Sequence, residues 1–104
     1  MKEITVQELK AKLDANEDFQ LVDVREKKEF DFVNIKGELI PLATVPSNAA
    51  KFSKDKEVIV MCRSGARSGQ AILALEAQGY TNLANLKGGI LAWAREIDTT
   101  LPTY

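Results

Sequence analysis

The chain has 104 residues, 45% hydrophobic and 28% charged, proportions that suit one soluble globular domain with a single region of core. Lys and Arg number 14 against 15 Asp and Glu, so the net charge of -1 offers no electrostatic footprint for nucleic acid or an anionic membrane surface. One cysteine and no histidine exclude an internal disulfide and His-based catalysis, and leave little for a metal site.

From the N-terminus, Met1-Lys2-Glu3-Ile4 lacks the charged and then apolar pattern of a signal peptide, and no apolar run approaches the roughly 20 residues of a membrane span. A cytoplasmic location is therefore expected. Thr5-Val6-Gln7-Glu8 has the form of a capping box, and Leu9 and Leu13 fall on one face, predicting a short helix to about Asp14. Phe19 to Val24 reads as a buried strand, and Glu26 to Phe32 as a short helix with Arg25 and Glu29 spaced for an i, i+4 pair. Leu39-Ile40 is a minimal strand that Pro41 stops, and Pro46 to Phe52 suggests another short helix. Lys56 to Cys62 is the clearest strand, a near-continuous apolar run of the kind covered on both faces in a parallel sheet. A loop from Arg63 to Gly69 leads to a helix over Gln70–Gln78 that Gly79 ends. Leu83 to Leu86 is a short strand, and Gly88-Gly89 turns the chain into a helix over Ile90–Glu96, with Trp93 in the core beside Ile90 and Ile97. Strands alternating with helices, without repeat or linker, predict a single α/β domain over 1–104: a small doubly wound, mainly parallel sheet flanked by helices.

Ligands of open parallel sheets bind beyond the carboxyl ends of the strands. Cys62 stands there, and a glycine-containing loop follows it into a helix. Backbone N–H groups in such a loop converge on an anion, reinforced by the helix N-terminus. Arg63 and Arg67 add two positive charges. Moving a thiol from about 8.5 to about 6.5 takes roughly 2.7 kcal/mol, within reach of these sources combined. A lone cysteine is commonly just a small buried hydrophobe. Flanking arginines and a glycine-rich helix entry would do nothing for such a residue.

Three segments together resemble the rhodanese-like sulfurtransferases. Val58 to Ser68 is similar to that family's strand and active-site loop, Leu21 to Phe30 to its Asp-Val-Arg-Glu segment, and Leu86 to Trp93 to its Gly-Gly turn and Ala-Trp helix. They stand in family order and span about residues 4 to 97. The resemblance implies that Cys62 is the nucleophile that accepts sulfane sulfur as a persulfide. It also implies that the backbone of Arg63, Ser64, Gly65, Ala66, Arg67 and Ser68 cradles the substrate, with arginine side chains helping to bind an anionic donor. The expected partners are a small anionic sulfur donor and a thiol, cyanide or protein acceptor. Neither metal nor organic cofactor is implied. Two arginines favour a doubly charged donor such as thiosulfate. The chain departs from the family's Gly-His-Ile-Pro-Gly-Ala segment, with Asn34 in place of His and Lys36 in place of Pro.

Two other classes compete. A Cys-based phosphatase or arsenate reductase needs five residues between Cys and Arg, whereas four separate Cys62 from Arg67 and Ser68 holds the required position. Such reductases also commonly use a second thiol. A non-catalytic sulfur-carrier or regulatory binding module of the same fold is the closer alternative.

Overall fold

A computed structural model describes residues 1–104. The chain alternates β1 (Glu3–Ile4), α1 (Val6–Asp14), β2 (Gln20–Asp23), α2 (Lys27–Phe32), β3 (Glu38–Leu39), β4 (Val58–Met61), α3 (Ala66–Glu76), β5 (Leu83–Leu86) and α4 (Gly89–Glu96). All five strands are parallel, in the order β1-β5-β4-β2-β3. This is the predicted α/β domain, with its most apolar strand in the middle.

Side chains alternate across a strand, so β4 feeds two cores. Val58, Val60 and Cys62 pack with Val22, Ala71, Ile72 and Leu75 on the α3 side. Ile59 and Met61 pack with Leu9, Leu86, Ile90 and Trp93 beneath α1 and α4. Burial on both faces explains why β4 lacks polar alternation. No helix is long and apolar enough to cross a membrane.

Several local expectations hold and others shift. Thr5 and Glu8 form the capping box at α1, but only Leu9 of its leucine pair is buried, and Leu13 is 40% exposed. The segment around Pro46 forms a 3-10 turn, Pro46–Lys51, after another at Leu42–Thr44, rather than an α-helix. α3 begins at Ala66, four residues before the predicted start, because Gly65 at φ +110 makes the whole turn by itself. The loop after β4 is thus four residues long, Cys62 to Gly65. β1 was not anticipated; its hydrogen bonds run to β5, with Asn85 N donating to Lys2 O and Lys87 N to Ile4 O.

The segment after α2 has its own turn. Asn34 Oδ1 accepts from Lys36 N at 2.9 Å, and Asn34 Nδ2 donates to Phe30 O at 2.9 Å. Lys36 sits at φ +67, a value closed to proline, whose ring holds φ near -65°. Asn34 and Lys36 therefore belong together, as a turn that the His and Pro pattern could not make.

Candidate active site

β4 ends at Met61, and Cys62 follows at the carboxyl end of the central strand. The four-residue loop that Cys62 opens is held from two sides. From α4, Ile90 N donates to Cys62 O at 3.0 Å and Leu91 N to Arg63 O at 3.1 Å. From β5, Asn85 Nδ2 donates to Gly65 O at 3.0 Å. Gly89 is where α4 meets the loop: a Cβ there would lie 2.5 Å from both the Cys62 and Arg63 carbonyl oxygens.

So held, the loop points polar groups at sulfur. Gly65 N–H donates to Cys62 Sγ at 3.1 Å, and Ser68 Oγ lies 3.4 Å from it. Burial pushes the thiol up, and the Ser68 hydroxyl with the backbone amides of Ser68, Gly65 and Ser64 outweighs burial, leaving Cys62 below its ordinary value. The stabilising groups are thus oriented dipoles at the start of an eleven-residue helix.

Both loop arginines have partners within the chain. Arg63 Nε donates to the main-chain oxygen of Tyr104 at 2.8 Å, with Nη2 on the same oxygen and the guanidinium 5.1 Å from the Tyr104 ring centre. Arg67 forms a two-pronged bond with Glu29, Nη1 to Oε1 at 2.6 Å and Nη2 to Oε2 at 2.9 Å. Ser64 and Ala66 are exposed at the rim, and Ser68 is fully buried. The expected Arg25–Glu29 side-chain pair does not form. Arg25 precedes α2, so helical spacing does not bring its guanidinium to Glu29. It turns instead onto Asp23, with Nη2 2.7 Å from Asp23 Oδ2 and 2.8 Å from Val33 O.

Asn85, Glu29 as the partner of Arg67, and Tyr104 are the residues that sequence reasoning missed at this site. A lone Asn in an otherwise apolar strand, Leu83-Ala84-Asn85-Leu86, was the one available signal. Cys62 is 1% exposed and lines none of the surface clefts. No group of three or more Cys, Asp or Glu side chains is gathered to hold a metal ion.

The fold and the loop define a parallel α/β domain that presents one polarised sulfur at a helix N-terminus. The family model of the rhodanese-like domain matches residues 5–96. A sulfurtransferase of Allochromatium vinosum is 42% identical over 96 residues, covering 91% of this chain and 90% of that protein. The crystal structure of a rhodanese-like domain protein from Staphylococcus aureus superposes with a TM-score of 0.84 at 36% identity, covering 100% of this chain and 99% of that one. The chain is also 36% identical to the probable adenylyltransferase/sulfurtransferase MoeZ of Mycobacterium tuberculosis, but spans only 26% of its length. The chain belongs to the rhodanese-like domain family.

Proposed function

We propose that this domain is a sulfurtransferase that carries sulfane sulfur as a persulfide on Cys62. In the first half-reaction the Cys62 thiolate attacks the outer sulfur of a donor such as thiosulfate or an organic persulfide. A sulfur–sulfur bond forms on the protein, the donor's sulfur–sulfur bond breaks, and sulfite or a thiolate leaves with the electron pair. In the second, a thiol, cyanide or protein nucleophile takes the outer sulfur and returns Cys62 as the thiolate. Exchange of this kind needs a low-pKa sulfur and a setting that stabilises the leaving thiolate.

The observation that carries this reading is Gly65 N–H donating to Cys62 Sγ at 3.1 Å. The neighbouring amides of Ser64 and Ser68 can follow the negative charge outward by one sulfur. Phosphoryl chemistry fits less well. An aryl phosphate needs an arginine six positions after the cysteine, and that position is Ser68, buried and bonded to Asn85. Negligible hydrolysis of aryl phosphates is expected, and turnover that depends on Cys62 would reject the sulfur-transfer reading.

Intact-protein mass spectrometry tests the carrier step. A sulfane donor should add one sulfur atom, removable by cyanide or dithiothreitol and absent in Cys62→Ser. No second thiol in the chain can resolve the persulfide. No adduct with any donor, from a thiol that still titrates, leaves a binding module as the better description.

A further inference from the structure

We propose that Glu29 is a specificity-determining residue, one that holds the Arg67 guanidinium away from a doubly charged donor and so selects organic persulfides over thiosulfate. The inference rests on the sulfur-transfer reading of Cys62 and reverses the donor preference expected from two arginines in the loop.

The pair is built, not incidental. Glu29 presents both carboxylate oxygens to the two terminal nitrogens of Arg67, the planar fork that gives Arg–carboxylate pairs their strength. Glu29 Oε1 also accepts from the N–H of Glu26 at 3.1 Å, and Oε2 accepts from the Tyr104 hydroxyl at 2.6 Å. Its side chain is 15% exposed and that of Arg67 32%, so the pair lies in the wall of the site, not in free solvent.

Every guanidinium around the loop is then already engaged, two of the three by a carboxylate. Arg67 is taken by Glu29, Arg25 by buried Asp23, and Arg63 by the main-chain oxygen of Tyr104. A sulfonate arriving at Arg67 would meet a neutral ion pair, and would have to displace a carboxylate already making two charge-assisted bonds. Such a bond to a free guanidinium is worth about 10- to 150-fold in binding, and Glu29 withholds it.

An organic persulfide makes no such demand. Its outer sulfur carries at most one negative charge, which the loop amides can hold. Attack by the Cys62 thiolate on that sulfur breaks the donor's sulfur–sulfur bond, and the proton of the outer sulfur goes to the departing thiolate, giving a thiol and the protein persulfide anion. Glu29 also lines a cleft of about 280 Å³ with Lys28, Phe32 and Tyr104, and this cleft offers a surface for the donor's carbon skeleton.

Glu29→Gln is the informative variant. Glutamine can still reach back to the Glu26 N–H as a capping residue, so α2 keeps its start. Initial rates of sulfur loading on Cys62 would be read by intact-protein mass spectrometry, with thiosulfate and cysteine persulfide as separate donors. The expected wild-type preference is for cysteine persulfide. Glu29→Gln should raise the ratio of thiosulfate to persulfide efficiency at least about tenfold, through a lower KM for thiosulfate. The gain should vanish when Glu29→Gln is made in an Arg67→Ala background, the signature of coupling between the two. An unchanged ratio in Glu29→Gln, or a gain that survives without Arg67, overturns the assignment while leaving sulfur transfer intact. No sulfur on Cys62 from either donor overturns the sulfur-transfer reading and this inference with it.

Discussion

Ser68 Oγ lies 2.6 Å from Asn85 Oδ1 and 3.4 Å from Cys62 Sγ, and its single proton can serve only one of them. With Cys62 protonated, the thiol can point at Ser68 Oγ while Ser68 donates to Asn85. With Cys62 ionised, Ser68 must turn its proton to sulfur and give up the shorter bond. Asn85 therefore competes with the thiolate for one hydroxyl. Ser68→Ala removes that donor, and a hydrogen bond to a charged sulfur is worth about 1.5 kcal/mol, so the pH midpoint of Cys62 alkylation should rise by about one unit. Asn85→Asp should raise it too, because a carboxylate holds the Ser68 proton more tightly. A Ser68→Ala profile that overlays the wild type would mean that Ser68 only fills space.

A buried ion pair anchors the end of β2. Asp23 and Arg25 are both 0% exposed, and Arg25 Nε and Nη2 both reach the Asp23 carboxylate. Burial opposes the charge on Arg25, and the bonds to Asp23 and Tyr104 outweigh it, so the guanidinium stays charged. Arg25→Ala would strand a carboxylate in the core, and losses of this kind cost about 3–5 kcal/mol. Urea unfolding should show that loss, and Arg25→Lys should recover only part of it, since an ammonium cannot also reach Val33 O and the Tyr104 hydroxyl.

What could be read from the sequence was local, and what could not was long-range. Val58 to Met61 announced a covered strand because every side chain in it is apolar. Thr5 and Glu8 announced a helix start because the capping box is contained in four residues. Arg67 offered no such clue to its partner, which lies 38 residues away in α2, while Arg25 stood at a deceptive helical spacing from the same Glu29. Asn85 was silent for the same reason, since Ser68 is 17 residues upstream. Gly69 misled in the opposite sense: it looked like the end of the loop, yet it sits inside α3, with its N–H donating to Gly65 O at 3.1 Å.

Gly89 has a steric role that the Gly-Gly turn alone did not reveal. At φ +58, with carbonyl oxygens 2.5 Å from where a Cβ would be, the position tolerates no side chain without moving the loop. Overpacking of this kind costs about 1–3 kcal/mol, and the left-handed backbone adds about 1–2 kcal/mol for a non-glycine residue. Gly89→Ala should lower stability by that order in urea unfolding. Because the same carbonyls flank Cys62, persulfide loading should fall by more than the unfolded fraction accounts for. Gly79→Ala is the control, since nothing lies within 4 Å of its Cβ and only the backbone cost applies.

The Glu29–Arg67 pair should also leave a mark on acid stability. Arg67 hydrogen bonds lower Glu29 from 4.5 to about 2, against burial, which pushes it up. A carboxylate depressed in the folded state stabilises the fold fully above its unfolded value, and loses that contribution as pH falls through its folded value. The window for this group is therefore about pH 4.5 down to about pH 2. The full shift corresponds to about 3 kcal/mol, and partial exposure of Arg67 reduces it to about 1–2 kcal/mol. Glu29→Gln cannot ionise and should lack this pH dependence. Urea unfolding should find the wild type about 1–2 kcal/mol more stable than Glu29→Gln at pH 6, with the difference shrinking below pH 4.5 and gone below pH 2. A constant difference across that range would mean that the carboxylate contributes packing and capping but no charge.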